Sequence, residues 1–171
     1  MCIWSLVNRF EEKENSAGWR CFSYHLIRNY FMSKLHINQI STKLKELFES
    51  KIDLSDINNS DKEKDDKFLS RCLAAYAVYY LTECSIDDAA LSIVDGGKDN
   101  RIDAIYYSEN LKKLFIVQSK WSKNGKGEPS KSDLLKFYTG VKDLFELNFN
   151  KFNDKIKKEK ILFGMSWPLM G

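Results

Sequence analysis

The feature that most constrains this chain is a pair of short alternating segments, about Arg101–Tyr107 and Lys113–Trp121, which follow a Gly96-Gly97 turn. Apolar and polar positions alternating with period two read as strand, and Ser108-Glu109-Asn110-Leu111-Lys112 between them suits a hairpin loop. Alternate side chains of a strand share a face, so Asp103 projects with Ile105, and Gln118 with Lys120. Pairing the segments brings a carboxylate, an amide oxygen and an ammonium to one end of a sheet. That is a donor set suited to a divalent metal ion and a phosphate.

The rest of the chain supplies helices to cover such a sheet. Ile37, Ile40, Leu44, Leu47 and Phe48 recur at spacings of three and four, which predicts a helix with one apolar stripe. Lys51 to Lys64 is polar and mixed in charge and reads as a solvated loop. Lys67 to Cys84 is apolar on more than one face (Phe68, Leu69, Cys72, Ala75, Tyr76, Tyr79, Tyr80), which predicts a largely buried helix packed on the sheet. Asp65 and Asp66 stand near its positive end. Ser85 starts a shorter helical turn, and Ala89 to Val94 leads into the glycines. After β-type patterning ends, 122–132 reads as a mobile basic loop. Ser132 is expected to cap a helix running to about 148 with Leu134, Leu135, Phe137, Tyr138, Val141, Leu144 and Phe145, extended by Phe149 and Phe152. Ile161-Leu162-Phe163 has the composition of a further strand.

Residues 1–31 carry the weakest pattern. Trp4, Leu6, Val7 and Phe10 suggest a short amphipathic helix, and Trp19 to Tyr30 is aromatic-rich without clean periodicity. Met32 precedes a well-patterned helix and is a candidate natural start, which would make 1–31 an upstream extension. The expected organisation is therefore an extension over 1–31, a domain over 32–163 and a tail over 164–171.

At 171 residues the chain is long enough for one domain with a real core, and 43% hydrophobic content with 13% aromatics excludes a disordered composition. A net charge of +3 permits a nucleic-acid partner without requiring one. Cys2, Cys21, Cys72 and Cys84 form no CxxC pair and have no histidine at zinc spacing, so they read as reduced, mostly buried thiols of a cytoplasmic protein. No apolar run is long enough to span a membrane, and the first ten residues lack a basic leader and cleavage site, so no membrane partner is expected.

Phosphodiester hydrolysis needs a carboxylate to hold Mg²⁺ (or Mn²⁺) against the scissile phosphate, activated water, and a cation beside the developing charge. Asp103 fits the first role. Gln118 adds a neutral oxygen, the Ser119 backbone carbonyl is a further ligand, and Lys120 orients the water. Asp95 and Asp99 can approach the metal, although turn chemistry explains both equally well. Lys123, Lys126 and Lys131 are candidates to track a nucleic-acid backbone, and Trp121 is either a core or a base-stacking aromatic.

The series Gly-Gly-x-Asp-x-x-Ile-Asp-x-Ile followed by Val-Gln-Ser-Lys-Trp resembles the PD-(D/E)xK nuclease superfamily in its Mrr-type form, where Gln-x-Lys replaces Glu-x-Lys. More closely, 93–99 (Ile-Val-Asp-Gly-Gly-Lys-Asp), 102–107, 114–121 and 136–141 (Lys-Phe-Tyr-Thr-Gly-Val) resemble the N-terminal region of AIPR proteins, the abortive-infection phage-resistance family of bacteria. The resemblance runs from about Met32 to Lys158. It implies an α/β restriction-endonuclease-like core, a small mixed sheet flanked by helices, incomplete at its C-terminus with the missing region encoded downstream. It further implies a metal-dependent nuclease acting on DNA or RNA in phage defence, with Asp103, Gln118 and Lys120 as catalytic positions and a homodimer as one assembly. An acidic residue on the helix before the first strand is also implied, with Glu83, Asp87 and Asp88 as its candidates. The alternative is a catalytically silent nucleic-acid-binding or interaction fragment of such a protein.

Overall fold

The computed structural model describes residues 2–9, 19–24, 34–125 and 130–158, the first two stretches as backbone. Strands β1 (Cys2–Arg9), β2 (Trp19–Tyr24), β3 (Ala104–Ser108) and β4 (Lys113–Lys120) form one sheet in the order β2-β1-β4-β3. Every pairing is antiparallel, so the described sheet is not the mixed one expected. A parallel member would have to come from elsewhere, and Ile161-Leu162-Phe163 lies outside the described residues, as do Phe10 and Lys126.

The expected hairpin is present. Ala104 pairs with Val117 and Ser108 with Lys113, and a four-residue loop, Glu109 to Lys112, closes it with Lys112 in the left-handed region at φ 49°. β3 starts later than the alternation suggested because Lys98, Asn100 and Arg101 all have positive φ (60°, 52° and 67°). The left-handed positions fall on these residues rather than on Gly96 and Gly97. Non-glycine residues adopt that conformation only under constraint. Here Asp99 supplies it: its carboxylate accepts from the N–H groups of Gly96 (3.1 Å) and Arg101 (2.7 Å), while the Asn153 N–H donates to the Lys98 carbonyl.

On one face of the sheet lie α1 (Lys34–Phe48), α2 (Lys64–Thr82) and α3 (Ile86–Leu91), whose apolar residues meet Ala104 and Val117 in one core. On the other lies α4 (Lys131–Phe145), whose Phe137, Val141 and Leu144 pack with Ile105, Leu114 and Ile116. The two cores alternate along β4, which is the strand period expressed as packing. The molecule is thus α/β, with helices on both faces.

Several boundaries differ from expectation for local reasons. The N-terminal amphipathic helix is instead β1, paired with β4 from Cys2–Lys120 to Arg9–Lys113. α2 ends at Thr82, whose hydroxyl bonds back to the Val78 carbonyl, and Glu83 turns left-handed at φ 54°. α4 is capped by Ser130, not Ser132: the Ser130 hydroxyl accepts from the Asp133 N–H (3.0 Å) and donates to its carboxylate (2.8 Å). That reciprocal cap needs an acid three residues on, which Ser130 has and Ser132 lacks. Phe149 and Phe152 are buried but belong to a 3-10 turn (Phe149–Lys151) and the residue after it, because Leu147 at φ 59° has already broken the helix.

The 51–64 segment is also more than a solvated loop. Arg71, in the middle of α2, is only 2% exposed and needs partners. Its guanidinium forks onto Asp56 (2.7 and 2.6 Å), donates from Nε to Asp95 (2.6 Å) and reaches the Asp53 carbonyl (2.6 Å). One buried cation therefore ties the loop before α2 to the turn before β3. Its carboxylates raise its pKa even though burial pulls the other way.

Candidate metal and phosphate site

The two strand ends and the first turns of α2 and α4 enclose a pocket of about 390 Å³. Asp103, Gln118, Ser119 and Lys120 all line it, so the hairpin brings together the residues singled out in the sequence. Asp103 sits one residue before β3, its N–H on the Val117 carbonyl and its own carbonyl taking the N–H groups of Val94 and Asp95. Its side chain turns toward β4 and accepts from the Ser119 N–H at 2.5 Å. Within an antiparallel strand a residue's N–H and C=O reach toward the same neighbour, so the Ser119 carbonyl also projects to the Asp103 edge. The Ser119 hydroxyl donates to the Ser70 carbonyl (2.9 Å), which locks this corner onto α2.

Gln118 is 7% exposed, and its Oε1 is buried with no hydrogen-bond partner. A buried amide oxygen left unbonded costs about 1–3 kcal/mol, which marks a site waiting for a donor or a cation. Asp95 and Asp103 line the same pocket, and one carboxylate oxygen from each of Asp95, Asp99 and Asp103 lies within 4.8 Å of the others. An ion coordinated at about 2.1–2.5 Å spans such a separation, and an all-oxygen donor set suits Mg²⁺ or Mn²⁺ over softer metals. Asp95 and Asp99, equally explicable as turn residues in the sequence, thus also join the cluster.

The electrostatics fit an unneutralised acidic cluster. Burial pushes the Asp103 carboxyl well above the usual carboxylate range, against the pull of the Ser119 N–H and with Asp95 and Asp99 pushing the same way. Asp99 is raised chiefly by burial, opposed by its two backbone donors and reinforced by the nearby Asp95 charge. Arg71 holds only Asp95 of the three.

Lys120 is exposed at the rim, and no ion pair occupies it among the described residues. Opposite, Arg101 pairs with Asp133 at 3.0 Å. Asp133 is held below its ordinary range first by the Ser130 hydroxyl, with Arg101 and Lys120 assisting. Trp121 packs against the α2 core while lining the pocket, its N–H on the Ser70 hydroxyl. Of the candidate backbone-tracking lysines, Lys123 is bound to Asp66 at 2.8 Å, and Lys131 is exposed in the first turn of α4.

None of the three candidate acids Glu83, Asp87 and Asp88 lines this pocket. Glu83 ends α2 at its far end through its backbone N–H, Asp87 pairs with Lys51, and Asp88 accepts from the hydroxyl of Ser85, which caps α3. Asp66 and Glu63, at the near end of α2, line the pocket instead, and Asp66 Oδ1 is a second buried oxygen without a partner. The sequence signal for Arg71 was a charge embedded in an otherwise apolar helix; for Asp66 it was only its place in the first turn. Among the described residues no helix is long and apolar enough to cross a membrane, and Cys72 is a buried thiol pushed up to about 12 by desolvation. No protein-family model, curated protein or solved structure matches this chain.

Proposed function

We propose that this chain carries a metal-dependent phosphodiesterase site of the restriction-endonuclease-like type, acting on nucleic acid. The observation that supports it best is the buried, unpartnered Gln118 Oε1 in the pocket that Asp95 and Asp103 also line, with Asp99 completing their cluster of carboxylate oxygens. Asp103, Gln118 and the Ser119 carbonyl would hold a Mg²⁺ or Mn²⁺ ion, with Asp99 and Asp66 as nearby acids. When bound, such an ion lowers the pKa of water and offsets charge on the phosphate. The chain's own part is positional. Ser119 and Val117 fix the Asp103 carboxylate and backbone, Arg71 fixes Asp95, and the Lys120 ammonium at the rim orients a water and faces the phosphate's negative charge.

The similarity of 93–121 to AIPR proteins supplies the biological setting in this reading, phage defence by abortive infection. The test is cleavage of plasmid DNA, single-stranded DNA and RNA in Mg²⁺ or Mn²⁺ by wild type, Asp103→Ala and Lys120→Ala, with circular dichroism as the fold control. Loss of metal-dependent cleavage in both variants is expected. Equal cleavage by all three sinks the proposal, and binding without cleavage in either metal selects a catalytically silent binding fragment.

A further inference from the structure

A second concavity, about 600 Å³, runs along the outer side of α4, lined by Lys98, Asn100, Leu135, Lys136, Thr139, Asp143, Asn150 and Lys151. Lys98 and Lys136 are exposed and have no carboxylate partner among the described residues. Lys151 is paired with Asp143, a side chain only 9% exposed, so the groove presents a surplus of positive charge. The neutral groups are amides and a hydroxyl: Asn100, Asn150 and Thr139.

The groove and the metal pocket share a wall. Residues 98–101 form it, with Lys98 and Asn100 facing the groove and Arg101 facing the pocket. That wall is rigid, since three of its residues are left-handed and the Asp99 carboxylate and Asn153 tether it. Asn100 in the groove and Asp103 in the pocket are three residues apart, which span at most about 11 Å. Every nucleotide of a strand carries a phosphate, so a strand with one phosphate at Asp103 presents a neighbouring phosphate to the adjoining groove. Lysines with neutral amide and hydroxyl donors make the sequence-independent backbone contacts that set the register of a nucleic acid.

We propose that this α4 groove is the binding track for the phosphodiester backbone of the substrate strand, with Lys98 and Lys136 as its charge contacts. This rests on the phosphodiesterase reading and places the track on the side of the site opposite Lys123. An acidic polypeptide is the competing occupant. It is disfavoured because the groove opens beside an oxygen-donor metal site and offers no arginine fork for carboxylates.

The test measures binding of fluorescein-labelled single-stranded DNA, single-stranded RNA and duplex DNA by anisotropy in EDTA, so that cleavage plays no part. Lys98→Gln/Lys136→Gln is compared with Lys43→Gln/Lys112→Gln, which removes the same charge from α1 and the hairpin loop. The groove pair is expected to weaken binding of the preferred strand about tenfold at low salt. It should also flatten the slope of log K against log salt by about 1.4, two contacts at about 0.7 each for single strands. Equal effects from both pairs, no binding by wild type, or displacement by polyglutamate as readily as by oligonucleotide overturns the proposal. Groove-dependent binding in a protein that never cleaves leaves the track standing and removes the hydrolase; Asp103-dependent cleavage indifferent to the groove pair does the reverse.

Discussion

Replacing Gly140 by alanine sets two effects of opposite sign against each other. In the interior of α4 the change should stabilise the helix by about 1 kcal/mol, because glycine is a poor helix former. Gly140, however, is where α4 crosses the 98–101 turn. A Cβ built there falls 2.8 Å from the Asn100 Cβ and 2.8 Å from the Asn100 carbonyl oxygen. Carbon contacts are comfortable at about 3.5–4.0 Å, and the neighbour that must yield includes backbone. That backbone is already left-handed at φ 52° and flanked by the Asp99 tethers, so it has little room to move. Overpacking of this kind costs about 1–3 kcal/mol, before any distortion of the turn. The clash should win by up to about 2 kcal/mol, which for a chain of this size lowers the Tm by up to roughly 8 °C. Thermal unfolding followed by circular dichroism measures it, with Mn²⁺ added in a second series. Because Asp99 rides on the displaced turn, the Tm gain from Mn²⁺ should shrink as well. A Tm equal to or above wild type would refute the reasoning, since helix propensity would then have prevailed.

Three further outcomes follow from the same geometry. Gln118→Met removes the unbonded buried oxygen at nearly constant volume, so the metal-free protein should gain about 1 kcal/mol while its Tm response to Mn²⁺ falls; a loss of stability with the response intact contradicts this. Arg71→Met leaves Asp56 and Asp95 without their cation. Their part exposure moderates the usual cost of breaking a buried pair, so a loss of about 2–4 kcal/mol is expected in urea titration, and a change under 1 kcal/mol speaks against the anchor role. Asp99 and Asp103 have folded pKa values above their unfolded ones, so the folded state binds more protons and metal-free stability should fall as pH rises through that interval. A divalent ion favours the ionised carboxylates, so the Mn²⁺-induced Tm gain should be larger at about pH 8 than at about pH 5 and should vanish in Asp103→Asn. A pH-independent gain would place the ion elsewhere.

What the sequence disclosed depended on how local each determinant was. The hairpin is written in period-two alternation, and α1 and α2 in spacings of three and four, so these were legible. The face-sharing of Asp103 with Gln118 followed from the hairpin alone. β1 was not legible, because Trp4, Leu6 and Val7 satisfy a helical spacing nearly as well as a strand, and its conformation is set by pairing with β4 far along the chain. Ser130 caps α4 where Ser132 is the expected residue, and the local signal that separates them is the acid at 133, three residues after Ser130. Arg71 could be seen as an oddity, a charge among Leu69, Cys72 and Leu73, yet nothing local names Asp56 and Asp95 as its partners. Asp66 is legible only as a first-turn acid of α2, because which end of that helix meets the hairpin is decided by packing, not by pattern.

The pairing of β1 with β4 also has a temporal side. Cys2 and Lys120, more than a hundred residues apart, are neighbours in the sheet, whereas β3 finds β4 across a four-residue loop. Loop-closure entropy makes the local hairpin the early event and the docking of β1 a late one. During synthesis at roughly 5–20 residues per second, β1 must wait on the order of ten seconds for β4 to exist. The strand carrying Gln118 and Lys120 would thus gain its second neighbour last, and the interval before that is when its open edge is exposed to pairing with another chain.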